Sequence, residues 1–154
     1  MLVDFNNLPD SSRIWMYASE EVLTSKQQNF ILDYISEHLR TWNAHKLDLT
    51  AGVTIFKNYF IVVALDESIN KASGCSIDTL QKCIQDIERD LSISLMNRLN
   101  VYCKIDGKIE CIPSFNLKDN VDSDTLFYDL TVQKKEDLNT YLKPISEGWC
   151  ARFL

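Results

Sequence analysis

Glycine is scarce in this chain, with four among 154 residues, at positions 52, 74, 107 and 148. A phosphate-wrapping P-loop needs two glycines five positions apart, followed by Lys and Ser or Thr, so that backbone amides can close around the anion. No pair has that spacing, and the dinucleotide fingerprint GxGxxG and the nucleophile elbow GxSxG fail on the same count. No Pro/Gly/Ser-rich linker, repeat or low-complexity tract interrupts the sequence, so residues 1–154 are expected to form a single domain, a length that buries a real core without disulfides or metals.

Long hydrophobic runs are also missing. The longest, YFIVVAL from Tyr59 to Leu65, is far too short to cross a bilayer. The opening MLVDFNNLPDSSR lacks the basic region and apolar segment of a signal peptide, which gives a cytoplasmic location as the expectation. Positive charge is in deficit: a net charge of -6 with a pI near 4.9 opposes broad contact with nucleic acid or an anionic membrane. The one basic doublet, Lys134-Lys135, is followed at once by Glu136 and Asp137 and reads as a solvated helix start.

Five cysteines, an odd number without a CxxC pair, argue against a secreted disulfide framework, and the cysteine and histidine spacings match no zinc pattern. Asp66 and Asp78 lack a fixed third ligand, so no metal site is assigned, and no cofactor motif is present. In VYCKIDGKIECI, a two-residue turn at Asp106-Gly107 sets Ile105 opposite Lys108. Cys103 then faces Glu110 and Tyr102 faces Cys111, so the two cysteines point to opposite faces and are expected as free thiols.

The elements that are present give a clear order. RIWMYA, Arg13 to Ala18, reads as a strand. Thr24 and Gln27 form a capping box for a helix running to about Trp42, with Ile31, Ile35, His38 and Leu39 at helical spacing, which makes His38 a hydrogen-bonded core histidine. Strands follow near Thr50 to Phe56 and Tyr59 to Leu65, the second apolar throughout and therefore expected to be covered on both faces, by the C-terminal segment or by a second subunit in a homodimer. Ile77, Leu80, Ile84, Ile87 and Leu91 mark a second amphipathic helix with Ser76 as its N-cap. The Asp-Gly hairpin and a last helix around Lys134 to Leu142 complete an α+β pattern. A ferredoxin-like core with an extra strand and a C-terminal helix fits it best, with another α+β sandwich as the rival.

This topology brings the WNAHK loop (Trp42 to Lys46) and the DESINKASGCSID loop (Asp66 to Asp78) to one end of the sheet. There, Cys75 at a helix mouth is the candidate nucleophile, since free amides and the helix dipole favour a thiolate. His45 is the candidate base and Asp66 the group that orients it. Ser73, Gly74, Ser76 and Lys71 are candidate ligands for a carboxylate or phosphate, a mono-anion or zwitterion being easier to accept beside Asp66, Glu67 and Asp78. The competing expectation is a binding module whose loop and C-terminal tail contact a protein partner. A third reading gives the loop no function and makes Cys75 a small residue packed in a turn.

The stretches DFNNLPDSSRIWMYAS, WNAHKLDLTAG, FIVVALDES, ASGCSID and GWCARFL resemble a family of uncharacterised bacterial proteins of about this length, often labelled "ABC transporter ATPase". The resemblance implies no activity, cofactor or site residue, and the glycine spacing and the absence of an LSGGQ-like segment speak against the label. The family pattern resembles AHG where this chain has Ala44-His45-Lys46, so a position suited to left-handed glycine here carries lysine.

Overall fold

The backbone of the computed structural model, which describes all of Met1–Leu154, alternates helices with antiparallel sheets and is α+β. Its residues group into two compact units, Met1–Met96 with Gln133–Glu136, and Asn97–Val132 with Asp137–Leu154.

In the first unit, strand β1 (Arg13–Ala18) leads to helix α1 (Ser25–Arg40). Thr24 caps α1 as its spacing to Gln27 dictates: Thr24 Oγ1 accepts the Gln27 amide at 3.1 Å and Gln27 Oε1 accepts the Thr24 amide at 2.9 Å. A two-residue hairpin, β2 (Asn43–Ala44) and β3 (Leu47–Asp48), follows, then β4 (Ala51–Phe56), β5 (Phe60–Leu65) and helix α2 (Gly74–Leu91). Strand order is β1-β5-β4, all antiparallel neighbours, so β1, α1 and β4 form a split βαβ unit with β5 between the strands. Ile61, Val63 and Leu65 on one face of β5 meet Ile31, Ile35 and Leu39 of α1 and Leu80, Ile84 and Ile87 of α2 in the core. All six residues of β5 are fully buried within one chain, so this strand does not require a second subunit to cover it.

A ferredoxin-like core needs a fourth strand beside β1, and none is there. The edge of β1 is closed instead by irregular backbone: the Ala18 amide donates to Leu95 O at 3.1 Å and the Ile14 amide to Gln133 O at 3.0 Å, with a bridge between Arg13 and Lys134. These contacts at both ends of β1 occupy the edge on which the next strand would have to pair.

That strand, β6 (Asn100–Ile105), belongs to the second unit, in a four-stranded antiparallel sheet with β7 (Lys108–Pro113), β8 (Leu126–Tyr128) and β9 (Leu142–Pro144) in the order β7-β6-β8-β9. The hairpin has the register expected from its turn: Ile105 opposes Lys108, Cys103 opposes Glu110 and Tyr102 opposes Cys111. Asp106 and Gly107 both take positive φ, 52° and 76°, and all five cysteines are free. Phe127, Ile112, Leu117, Ile145 and Cys150 form the core of this unit, with Trp149 and Phe153 packed against it. Gly148 is required by that packing, because a Cβ there would lie 2.1 Å from Phe127 Cζ.

The helix expected over Lys134 to Leu142 is a six-residue 3-10 segment, Lys135–Thr140, with no buried side chain. A stretch this short with no apolar face to bury has nothing to stabilise a longer α-helix.

Candidate functional site

The site is built where α1 ends, the β2–β3 hairpin turns and α2 begins. Three features of the local sequence set its shape.

The first is Trp42. Helix α1 stops at Arg40 and does not reach it, and the indole turns inward to full burial, packing edge-on against Trp15 at 5.8 Å. Its Nε1 donates to Ser76 O at 2.9 Å, which fastens the end of α1 to the first turn of α2.

The second is the start of α2, which lies one turn earlier than a Ser76 cap would put it. Ser73 is the N-cap: its Oγ accepts the Ser76 amide at 3.1 Å, and Ser76 Oγ accepts the Ser73 amide at 2.8 Å. Two serines three positions apart can each cap, and the pair closes reciprocally only when the first is the cap. Cys75 is therefore the second residue of the helix. Gly74 is the first, and its backbone is not left-handed, so the glycine is not needed to turn the chain; nothing lies within 4 Å of where its Cβ would be. With the Ser76 amide taken by Ser73 Oγ and the Ile77 amide by Ser73 O, the Gly74 and Cys75 amides are the ones left without an intrahelical acceptor.

The third is the hairpin tip. His45 and Lys46 both sit at positive φ, 52° and 68°, so the lysine adopts the left-handed conformation that a glycine would take more easily. The loop preceding α2 is tied to this hairpin, with Asn70 Nδ2 donating to Asp48 O at 2.9 Å.

Together these elements enclose an open cleft of about 290 Å³, walled by His38, Trp42, His45, Ser73, Cys75 and Thr79 among others. The cleft brings together Cys75, His45, Ser73 and Ser76 from the sequence-predicted set. Asp66 does not line it. Its Oδ1 accepts the Ser68 amide at 3.0 Å and the Ser68 hydroxyl at 2.6 Å, a local turn at the end of β5 that leaves the carboxylate facing its own loop and not an imidazole. Lys71 and Gly74 are exposed and also lie outside the lining.

The Cys75 thiol is exposed, whereas Cys83, Cys103 and Cys150 are buried. Burial, with a smaller contribution from Asp86, pushes the Cys83 thiol up to about 12, and burial likewise raises Cys103 to about 12. Those thiols are inert at neutral pH.

His38 departs from the hydrogen-bonded core histidine that its place on the apolar stripe predicts. It is half-buried at the wall of the cleft, 6.2 Å from the Trp42 ring, and its Nε2 is buried with no protein partner. Burial lowers its pKa from the ordinary value, so the ring is neutral at pH 7. Thr79 is a further wall residue, four positions after Cys75 and thus on the same helical face, a relationship the sequence already contained.

No protein-family model, no curated protein and no solved structure matches this chain.

Proposed function

We propose that the cleft between α1, the β2–β3 hairpin and α2 is the functional site, that it takes a small molecule with a mono-anionic group, and that Cys75 is its nucleophile. The observation that carries this reading is that the one exposed thiol and the His45 imidazole line the same cleft, at the open first turn of a helix. There the positive end of the helix dipole favours a bound carboxylate. In the reaction, the thiol proton passes to the imidazole as sulfur bonds to an electrophilic carbon and that carbon's leaving group departs with the displaced electron pair. Asp66 has no part in this scheme, its carboxylate being held by Ser68.

Alkylation with iodoacetamide at neutral pH, mapped by mass spectrometry, tests the proposal. Cys75 is expected to react faster than free cysteine, and His45→Gln to bring it back to the free rate. A wild-type rate no faster than free cysteine would remove Cys75 as nucleophile.

A second reading, a contact surface for a partner, is favoured by Leu47 and Ile69, which are 57% and 58% exposed and each directly precede one of the residues joined by the Asn70–Asp48 bond. The C-terminal Phe153 is left out of that surface because it packs on the core of its own unit. With a second copy of the chain as the partner, sedimentation equilibrium should show association that weakens in Leu47→Lys; a monomer at every concentration defeats this version.

A further inference from the structure

The sheet of the second unit ends on β7, last in the order β7-β6-β8-β9, and no further strand pairs with its outer side. The outer strand β4 of the first unit differs, since the Val3 amide donates to Ala51 O there at 2.9 Å. Pairing with β6 sets which residues of β7 face outward. Ile105 and Lys108 close the two-residue turn, and at the other end the Ser114 amide donates to Leu99 O at 2.8 Å, so the even-numbered residues of β7 bond to β6. Ile109 and Cys111 therefore turn their amides and carbonyls away from β6, and Pro113, next in that row, has no amide to offer. The Ile109 amide and carbonyl have no partner within the chain.

An open edge is commonly blunted by a charge, lysine above all. Here the edge carries Lys108 and Glu110, two positions apart and so on one face of the strand, both exposed and neither side chain paired within the chain. A lone lysine would repel a second copy of the same edge, but this pair attracts one in a single register. With a two-fold axis at Ile109, Lys108 of each copy lies opposite Glu110 of the other and the two Ile109 residues face each other. Moving the axis one residue either way sets Lys108 against Lys108 or Glu110 against Glu110, which repel. Placing it at Cys111 sets Pro113 opposite Ile109, whose carbonyl then lacks a donor.

We infer that β7 pairs antiparallel with β7 of a second copy about a two-fold axis at Ile109, joining two four-stranded sheets into one of eight. The two Ile109 residues exchange amide-to-carbonyl hydrogen bonds, and a Lys108–Glu110 pair flanks them on each side. The paired ribbon is short and falls below the roughly 1,200 Å² of a stable interface, so the association is weak and concentration-dependent. β7 belongs to the second unit, the cleft and Leu47 to the first, and the inference rests on neither reading of the first unit.

Sedimentation equilibrium of the full chain at rising concentration is the test. The wild-type chain is expected to self-associate. Lys108→Glu and Glu110→Lys, each at an exposed position, should weaken the association about tenfold by turning two attractive pairs repulsive. Making both changes together keeps the net charge and should restore it, and an equimolar mixture of the two single variants should associate more tightly than either alone. The Ile109 amide should exchange with D2O more slowly as concentration rises, and Leu47→Lys should associate as the wild type does. A monomer at every concentration overturns the inference, as does an association that the single charge variants leave unchanged or that the double exchange fails to restore. Association lost in Leu47→Lys and kept in the charge variants would place the contact on the first unit and overturn it as well.

Discussion

The Trp42 indole donates to the carbonyl of Ser76 across 2.9 Å, joining a residue two positions past α1 to the turn that presents Cys75. This bond is buried and bridges 34 positions of sequence, so it fixes the width of the cleft. Trp42→Phe keeps an aromatic ring against Trp15 but removes the donor. It is expected to destabilise the fold by about 2 kcal/mol, the hydrogen bond and part of the lost ring area together. Urea unfolding measures this, and the same variant should slow Cys75 alkylation toward the free-cysteine rate if cleft geometry is what activates the thiol.

The parts of the fold that can be read from the sequence are those set by local chemistry. The Thr24–Gln27 box, the Asp106-Gly107 register and the apolar run of β5 each depend on residues a few positions apart, and each is found as read. The closure of β1 by Leu95 and Gln133 cannot be read, because it depends on irregular backbone far away in sequence satisfying edge hydrogen bonds with no side-chain pattern to announce it. In the site, placing His45 and Cys75 on one rim needs only the order of elements. Asp66 falls outside it because Ser68, two residues on, competes for its carboxylate more effectively than a distant imidazole. The capping serine lies one turn earlier than expected because both serines qualify alone and only their pairing decides.

The hairpin tip offers a substitution that adds stability. Lys46 is held at φ 68°, where a Cβ costs about 1–2 kcal/mol. Lys46→Gly removes that strain and gives back part of the gain as chain entropy in the unfolded state. A net stabilisation of roughly 0.5–1 kcal/mol is expected, seen as a higher urea midpoint with an unchanged slope. An unchanged or lower midpoint would mean that the lysine side chain makes a compensating contribution at this turn.

The second unit contains a pH-sensitive pair. Burial acts to raise the Asp129 carboxyl, but hydrogen bonds from Thr131 and the Lys143 ammonium at 2.9 Å outweigh it and hold the group below its ordinary value. A carboxyl lowered in the folded state binds fewer protons there than when unfolded, so its stabilisation is complete above the unfolded value near 4 and is lost as pH falls through the lower folded value. The side chain is only 11% exposed, so screening by solvent is limited. Asp129→Asn should cost about 2 kcal/mol at pH 7. Between pH 5 and pH 2 the wild-type curve should fall toward that of the variant, and parallel curves across this window would show that the pair contributes nothing through its charge.

Gly148 and Phe127 test the packing of the same unit. The Phe127 ring is fully buried and occupies the space where a Cβ on residue 148 would sit, 2.1 Å from Cζ and 2.4 Å from Cε1. The backbone at Gly148 has φ -110°, ordinary for any residue, so steric overlap and not conformational strain is the whole objection to a side chain. Gly148→Ala is therefore expected to destabilise by about 2–3 kcal/mol, since a ring enclosed on all sides moves only by displacing its neighbours. Phe127→Leu shortens the ring and destabilises by itself through lost contacts. In the double variant the methyl group introduced at position 148 enters the vacated space, so the combined loss should be clearly smaller than the two single losses added together. Urea midpoints of the four proteins measure the coupling; strict additivity would place the strain of the Gly148→Ala substitution somewhere other than the Phe127 ring.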